Sequence, residues 1–478
     1  MKHSRLFSLI VIFALSAKLR IEAAQQPNFV VIMGEAQGWA SSSVRMDDAV
    51  PESKSFIART PNLEKLAAGG MRFANFYAAS PRCTPTRAAF FTGKSPAALH
   101  MTFVGEGRGA RESGFSETGS KLIPPPATLE MPEAETTIAE VLKGAGYATA
   151  HFGKWHVGRG SPARHGFDES DGPNNNGGPE NVENPNPTQA FAITERGMDF
   201  IERQTKAGKP FYVQISHYAG RGGADARPET YADVRRRATT DRDQRMVGST
   251  AVAEDMDATI GMLMAKLDAL GIADRTCFIY TSDHGAQGRN ANAPLSNGKG
   301  TVWEGGIRVP LIVRGPGTQA GTCTHVRAST VDLFPTIAEL AHVKEQLPKG
   351  VEGGSLVAVL GGAPGARVER AREEFVVHFP HYDRNEQGPA SALLLGNDKL
   401  IHLYETGALM LFDVSKDIGE QRDIAKERAK DALELDRRLA EYLKSVNAQM
   451  PAPNPRFDAS KAQPLEERSR AKANPDAQ

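Results

Sequence analysis

Cysteine is scarce. Cys83, Cys277 and Cys323 are the only three in 478 residues, too few for a chain of this size to rest on a disulfide framework. An excess of one charge is missing as well. Lys and Arg number 57 and Asp and Glu 57, which excludes the basic footprint of a nucleic-acid binder and the polybasic face of a membrane-surface protein. Beyond residue 24 no apolar run is long enough to cross a bilayer, so no stable membrane span is expected. No internal repeat is present. No Asn-x-Ser/Thr acceptor remains once Asn186-Pro187-Thr188 is set aside for its proline, which leans toward a bacterial source.

What is there begins with an export signal. Lys2, His3 and Arg5 precede the apolar run Leu6 to Ala17, and Ala23-Ala24 offers a cleavage point. Residues 1–24 therefore read as a secretory signal, and the chain is expected in a periplasm or outside the cell. Gly 46 and Pro 30 imply many loops, the usual seat of catalytic residues on a large scaffold.

Apolar runs alternate with helical patterns over most of the chain. Pro27 to Met33, Met71 to Ala79, Tyr147 to Phe152, Phe211 to Ser216, Thr276 to Thr281 and Val309 to Val313 read as strands. Thr60-Pro61 opens one helix, with Thr60 as N-cap. Further helices are expected at Thr137–Gly144, about 188–206 and 249–270. This order predicts an α/β fold with a large, mostly parallel mixed sheet between two layers of helices. From about 370 the texture changes to short, closely spaced strands followed by a helix at Ala425–Val446, a small antiparallel sheet plus helix. The expected division is a signal at 1–24, a catalytic α/β domain at 25–365, a C-terminal subdomain at 366–450 and a disordered tail at 451–478.

One stretch organises the chemistry, Cys83-Thr84-Pro85-Thr86-Arg87. Pro85 suits a first helical turn, so Cys83 should sit at a helix N-terminus, where free N–H groups favour an anion. Arg87, one turn later, can reach back over it. A lone Cys is more often inert packing, as Cys277 in its apolar strand is. However, Glu35 and Asp283-His284 end two predicted strands, Lys154 and His156 follow another, and Lys299 lies in a Gly-rich loop. In a doubly wound fold these meet at one edge. Together they suit hydrolysis of an oxyanion ester, with a divalent cation polarising the ester, cations offsetting its charge and a nucleophile attacking in line.

The motifs carry a resemblance. Cys83 to Arg87 with Thr92-Gly93, Gly153-Lys154-Trp155-His156-Val157-Gly158, Thr281-Ser282-Asp283-His284-Gly285, Gly298 to Pro310, and Phe412-Asp413-Val414 with Asp417-Ile418-Gly419-Glu420 resemble, in order, the signatures of the type I sulfatases of the alkaline phosphatase-like superfamily. The resemblance implies an alkaline phosphatase-like fold and a sulfuric ester hydrolase, acting on a sulfated polysaccharide or a small aryl sulfate. It implies that a formylglycine-generating enzyme converts Cys83 to Cα-formylglycine, whose hydrate attacks sulfur and later expels sulfate. It implies a divalent cation, usually calcium, held by Glu35, Asp283, His284 and residue 83. Arg87 and Lys154 would hold the formylglycine oxygens, His156 would take a proton, and Lys299 would bind sulfate and the leaving oxygen.

Two positions depart from the family pattern. The first strand usually ends in Asp-Asp, where this chain has Glu35-Ala36. Gln37, a water, Asp47 or Asp48 could complete the shell. The His that acts on the leaving group is replaced by the stretch Ala219-Gly220-Arg221, with His217 slightly earlier. Arg221 can bind sulfate but keeps its proton, and His217 could fill the role. Asn176 is a further candidate to face the sulfate. The alternatives are a phosphonate monoester or phosphodiester hydrolase of the same superfamily, and a non-catalytic binder of sulfated glycans.

Overall fold

The computed structural model describes residues 26–104, 115–174, 189–218, 220, 225–288, 291–343, 346–383 and 388–462. Its centre is an eight-stranded sheet. In chain order the strands are β1 (Asn28–Gly34), β2 (Met71–Phe73), β3 (Ala148–Gly153), β4 (Glu169–Ser170), β5 (Phe211–Ser216), β6 (Thr276–Ser282), β7 (Leu311–Arg314) and β8 (Thr322–Thr324). Across the sheet the order is β8-β2-β7-β6-β1-β5-β3-β4. Only β7 is reversed, pairing antiparallel with both β6 and β2, so the sheet is mixed but mostly parallel, as the apolar runs predict.

The long runs are buried on both faces, and alternate residues serve different cores. Phe29, Val31 and Met33 of β1 and Cys277 and Ile279 of β6 pack on one side with Phe90, Phe91, Ile138 and Leu142. Val30, Ile32, Phe278 and Tyr280 pack on the other with Leu63, Ile193, Phe200, Met256 and Ile260. The helices behind these contacts are α1 (Pro61–Ala68), α2 (Cys83–Thr92), α3 (Ile138–Gly144), α4 (Ala190–Lys206) and α5 (Asp241–Ala269). Burial pushes the Cys277 thiol up to about 12, which fits inert packing.

Several helix ends differ from the sequence reading. Helix α5 starts at Asp241, a full two turns before the expected 249, on a capping box in which Thr240 and Asp243 exchange side-chain and backbone bonds. Its first turns carry little apolar pattern, so periodicity misses them. Thr60 precedes α1 without capping it. Its Oγ1 accepts from the Ser43 N–H at 2.9 Å, and Asp257 of α5 caps α1 instead, accepting from the Leu63 N–H at 2.7 Å.

The C-terminal part forms a four-stranded antiparallel sheet of β9 (Phe375–Phe379), β10 (Ala390–Leu395), β11 (Asp398–Leu403) and β12 (Ala408–Asp413), paired in sequence. One face packs Leu393, Leu400 and Leu411 against Leu435, Leu439 and Tyr442 of α6 (Ala429–Ser445). The other packs Val377, Ala392 and Ile401 against Tyr77 and Trp303. The tail expected to be disordered is tied down at its start. Ala452–Pro453 pairs antiparallel with Leu122–Ile123, and Asn454 Nδ2 donates to the carbonyls of Glu117 and Ser120 at 3.0 and 2.7 Å. Backbone pairing orders this polar segment where hydrophobicity could not. The signal expected at 1–24 lies outside the described residues.

A buried ionic network joins the small sheet to the large one. Lys399 of β11 reaches Glu304 at 2.9 Å and Glu420 at 2.7 Å. Arg308 pairs with Glu304 at 2.6 Å and donates to the Tyr77 hydroxyl at 2.9 Å. Glu420 also accepts from the Glu304 N–H at 2.8 Å. Breaking a buried pair strands a charge. Lys399→Met is expected to lower the unfolding free energy by about 3–5 kcal/mol in urea denaturation. Adding Glu420→Gln should recover part of that loss, whereas two fully additive losses would contradict the coupling.

Candidate active site

The site is set by strand register. Met33 and Gly153 both stand level with Ser216, and Gly34 is level with Ser282. One residue further, the main chain keeps the same pairing. Asp283 N–H donates to Gly34 at 3.2 Å, His217 N–H to Met33 at 3.0 Å and Lys154 N–H to Ser216 at 2.8 Å. Asp283, Glu35, His217 and Lys154 thus form a row along the carboxyl edge of β6, β1, β5 and β3, where doubly wound sheets build their sites.

Helix α2 brings residue 83 to this row. Arg82 is its N-cap and Cys83 its first residue. Cys83 Sγ lies 3.4 Å from Glu35 Oε1 and 3.1 Å from His284 Nε2. Glu35 takes Lys154 Nζ at 2.7 Å and Arg87 Nη2 at 3.4 Å on Oε2, and Lys299 Nζ at 3.1 Å on Oε1. Arg87 lies close enough to Cys83 for the two charges to interact. Its guanidinium grips Asp283 Oδ2 at 3.0 and 3.2 Å and donates to the Lys154 carbonyl at 2.7 Å, because these acceptors lie inward of the helix and satisfy a wholly buried cation. With residue 83 as cysteine, Arg87 and Lys154 both engage Glu35.

The electrostatics follow from crowding in a dry site. Burial opposes the Glu35 charge, but Lys154, Lys299 and His284 outweigh it and hold the carboxyl well below its usual range. Burial and the neighbouring Glu35 push Asp283 up to about 6. Burial works against a charged His284, yet Asp283 lifts it to about 9. Burial and Glu35 both oppose a Cys83 thiolate, while Lys154, Lys299 and His284 bring the thiol well below its usual value.

Glu35, Cys83, Asp283 and His284 offer ligand atoms all within 4.8 Å of one another. Two carboxylates so close, one of them driven toward protonation by the other, suit a bound cation. His284 Nδ1 faces the Gly285 carbonyl at 2.9 Å. A cation in the cluster would take the Nε2 lone pair, displacing the proton that Asp283 favours without it, while Nδ1 keeps its proton toward that carbonyl. The residues thus fit a divalent ion. Ala36 takes a left-handed φ of 54° and donates its N–H to Asp283 Oδ1 at 3.1 Å, so the position of the family's second Asp orients a carboxylate through its backbone.

The other candidates for that shell are elsewhere. Gln37 folds its amide onto its own turn, donating to the Glu35 carbonyl at 3.3 Å. Asp48 pairs with Arg72 at 3.0 Å and Asp47 with His325 at 3.1 Å. His156 is buried, with a φ of 57°. Its carbonyl accepts from Thr84 Oγ1 at 2.8 Å and its N–H donates to the Asn174 carbonyl at 2.9 Å, which fixes its main chain beside the start of α2. Burial and Arg87 push His217 down to about 4, and its Nε2 meets Thr259 Oγ1 at 3.4 Å. Arg221 and Asn176 lie outside the described residues.

Lys299 is presented by backbone packed on backbone. A Cβ at Gly285 would collide with the Gly305 carbonyl, and one at Gly306 with that of Thr301. Lys299 N–H donates to Ala286 at 3.1 Å and Gly300 N–H to Pro81 at 2.9 Å, linking the Asp283 turn to the loop before Cys83. Sequence reasoning missed Arg82, whose guanidinium makes a bidentate pair with Asp383. Asp383 follows the short strand β9, and only tertiary structure brings it there. Asn174 was also missed, with no signal beyond its Asn-rich loop.

A mostly parallel sheet, a small antiparallel sheet and an oxyanion-ready cluster at the strand ends define an alkaline phosphatase-like hydrolase. A family model described as Sulfatase matches residues 27–343, and one described as N-sulphoglucosamine sulphohydrolase, C-terminal, matches residues 297–449. N-acetylgalactosamine-6-sulfatase of Sus scrofa is 33% identical over 377 residues, covering 71% of this chain and 66% of that one, so the match spans about two thirds of that relative. A sulfatase of Formosa agariphila is 27% identical over 533 residues, covering 92% and 94%. The crystal structure of Ps i-CgsB superposes with a TM-score of 0.72 at 22% identity, covering 95% of this chain and 98% of that one. The chain belongs to the sulfatase family, a family of sulfuric ester hydrolases.

Calcium titration of metal-stripped protein is expected to show tight binding that Asp283→Ala weakens by more than about 100-fold, a ligand mattering more than its supports. Asp48→Asn should leave the affinity unchanged, and an equal loss there would contradict the assignment of the cluster.

Proposed function

We propose that this sulfatase-family chain releases inorganic sulfate from a sulfated carbohydrate, with residue 83 as the nucleophile after conversion to Cα-formylglycine. The observation that carries the reading is the cluster itself, in which residue 83 heads a helix beside two carboxylates, an imidazole and the ammonium groups of Lys154 and Lys299. The name of the Sus scrofa relative points to a sulfated sugar. A formylglycine-generating enzyme would act on the chain before its export to a periplasm or the medium. Among the described residues no helix is long and apolar enough to cross a membrane.

The hydrated aldehyde supplies two hydroxyl groups, one to attack sulfur and one to release sulfate, and the divalent cation, calcium by family habit, supplies Lewis acidity. Glu35, Asp283 and His284 would hold that cation. The protein's own groups do the rest. The N-terminus of α2 and Lys299 favour the sulfate's negative charge. Burial works against the Lys299 charge, but in the encoded chain Cys83 and Glu35 lift its pKa well above the usual value, and after conversion of residue 83 Glu35 at 3.1 Å remains to hold the ammonium beside the sulfate and leaving oxygen. Arg87 and Lys154 lock Glu35 and Asp283 in place. His156 is the candidate to take the second hydroxyl's proton. His217, uncharged at neutral pH, and, outside the described residues, Arg221 and Asn176 are the candidates to meet the leaving group and sulfate.

Protein co-expressed with a formylglycine-generating enzyme tests this. Sulfate release from sulfated oligosaccharides, followed by ion chromatography, is expected, and Cys83→Ala should cut it by more than about 1,000-fold. Lys299→Ala should cost on the order of 100-fold, mainly in kcat. Turnover of bis(4-nitrophenyl) phosphate exceeding that of every sulfate ester would overturn the reading.

A further inference from the structure

A small open cleft, with about 80 Å³ accessible to water, adjoins the candidate active site. Ala36 and Ala286 form part of its wall, and both are bonded into the site. Ala36 N–H holds Asp283 Oδ1 at 3.1 Å, and the Ala286 carbonyl takes the Lys299 N–H at 3.1 Å. The rest of the wall comes from residues 54–57 and the first turns of α5, including Lys54, Phe56, Arg242 and Met246.

The chemistry of this wall is unlike that of the surrounding surface. Phe56 is 71% exposed, the most exposed large apolar side chain among the described residues. Arg59 and Arg237, next to these segments in sequence, each hold a carboxylate. Lys54 makes no hydrogen bond or ion pair among the described residues, and Arg242 has only the Ala293 carbonyl at 3.4 Å. The cleft's one carboxylate, Asp243, is engaged in the α5 cap, accepting from the Thr240 N–H at 3.2 Å. Two cations without carboxylate partners line the cleft with an exposed ring, and Ser41, Ser249 and Thr250 line the same space. An aromatic ring takes the apolar face of a pyranose, and ammonium and guanidinium groups take a sulfate or carboxylate.

Resting on the function proposed above, we infer that the cleft is a subsite for the sugar unit next to the one bearing the scissile sulfate. Phe56 packs on that unit's ring, and Lys54 and Arg242 bind its negative group. The substrate class is then an anionic oligosaccharide with a second charged unit beside the reacting one, in preference to an isolated sulfated sugar or an aryl sulfate.

Two measurements test this. The first is the ratio of kcat/KM for sulfate release from tetrasaccharides of chondroitin 6-sulfate, heparin and ι-carrageenan to that for 4-nitrophenyl sulfate. In Phe56→Ala and in the double variant Lys54→Ala/Arg242→Ala, the ratio for the preferred tetrasaccharide is expected to fall at least tenfold, mostly through KM. The unit beside a sulfated sugar carries a carboxylate alone in chondroitin 6-sulfate and a sulfate alone in ι-carrageenan, so a loss confined to the uronate-bearing chains assigns the carboxylate, a loss confined to heparin and ι-carrageenan assigns the sulfate, and a loss shared by all three assigns either anion. The second is calorimetric binding of the same tetrasaccharides in the Cys83→Ala background, where the substitutions should weaken affinity at least tenfold whatever the reaction. Wild-type protein that binds them without releasing sulfate would sink the proposed function and leave the subsite standing. Unchanged ratio and unchanged affinity, or no tetrasaccharide bound, would overturn the subsite.

Discussion

The carboxylate of Glu35 holds together a set of side chains that would otherwise repel one another. Lys154, Lys299 and Arg87 converge on it within 3.4 Å, and Cys83 and His284 face the same oxygen. Remove its charge and three cations are left in a dry pocket with only Asp283 to offset them, a costly arrangement. The extra methylene relative to the family's Asp has a physical consequence here. Glu35 spans from the Lys154 side of the row to the Lys299 loop with its two oxygens, so one residue ties β1 to β3 and to the loop before β7.

Such a cluster persists only because the scaffold fixes it from several directions. The β1, β5, β3 and β6 main chains stay in register one residue past the strand ends. The Gly285 and Gly305 backbones touch where no side chain fits. Further out, Lys399 and Glu420 anchor the Glu304 turn that follows Lys299. The small sheet is thus coupled to the chemistry by a chain of buried charges rather than by reaching into the site with its own strands.

Much of this was legible in the sequence because it is local. Buried strands announce themselves as apolar runs, and residues directly after them, such as Glu35, Lys154 and Asp283, must fall at one edge of a parallel sheet. What was not legible depends on partners far along the chain. The reversal of β7 is a fact of pairing, not of composition. Thr60 was read as a cap because it is the residue before Pro61, yet Asp257 does the capping across the fold. Helical periodicity puts Arg87 on the face of Cys83 but cannot choose its acceptors, and Asp283 and the Lys154 carbonyl take its guanidinium. The pairing of Ala452–Pro453 and the Arg82–Asp383 contact are likewise long-range. Glu35-Ala36 looked like a damaged metal site. The structure shows the Ala36 backbone orienting Asp283, with Asp47 and Asp48 committed elsewhere.

The central claim is that residue 83, as encoded, is the precursor of the nucleophile these charges surround. Peptide mass spectrometry of fully active protein measures this most directly. The account predicts that the peptide containing residue 83 has lost its thiol and carries an aldehyde that reacts with a hydrazide probe. Full sulfatase activity from protein in which Cys83 retains its unmodified thiol would contradict it.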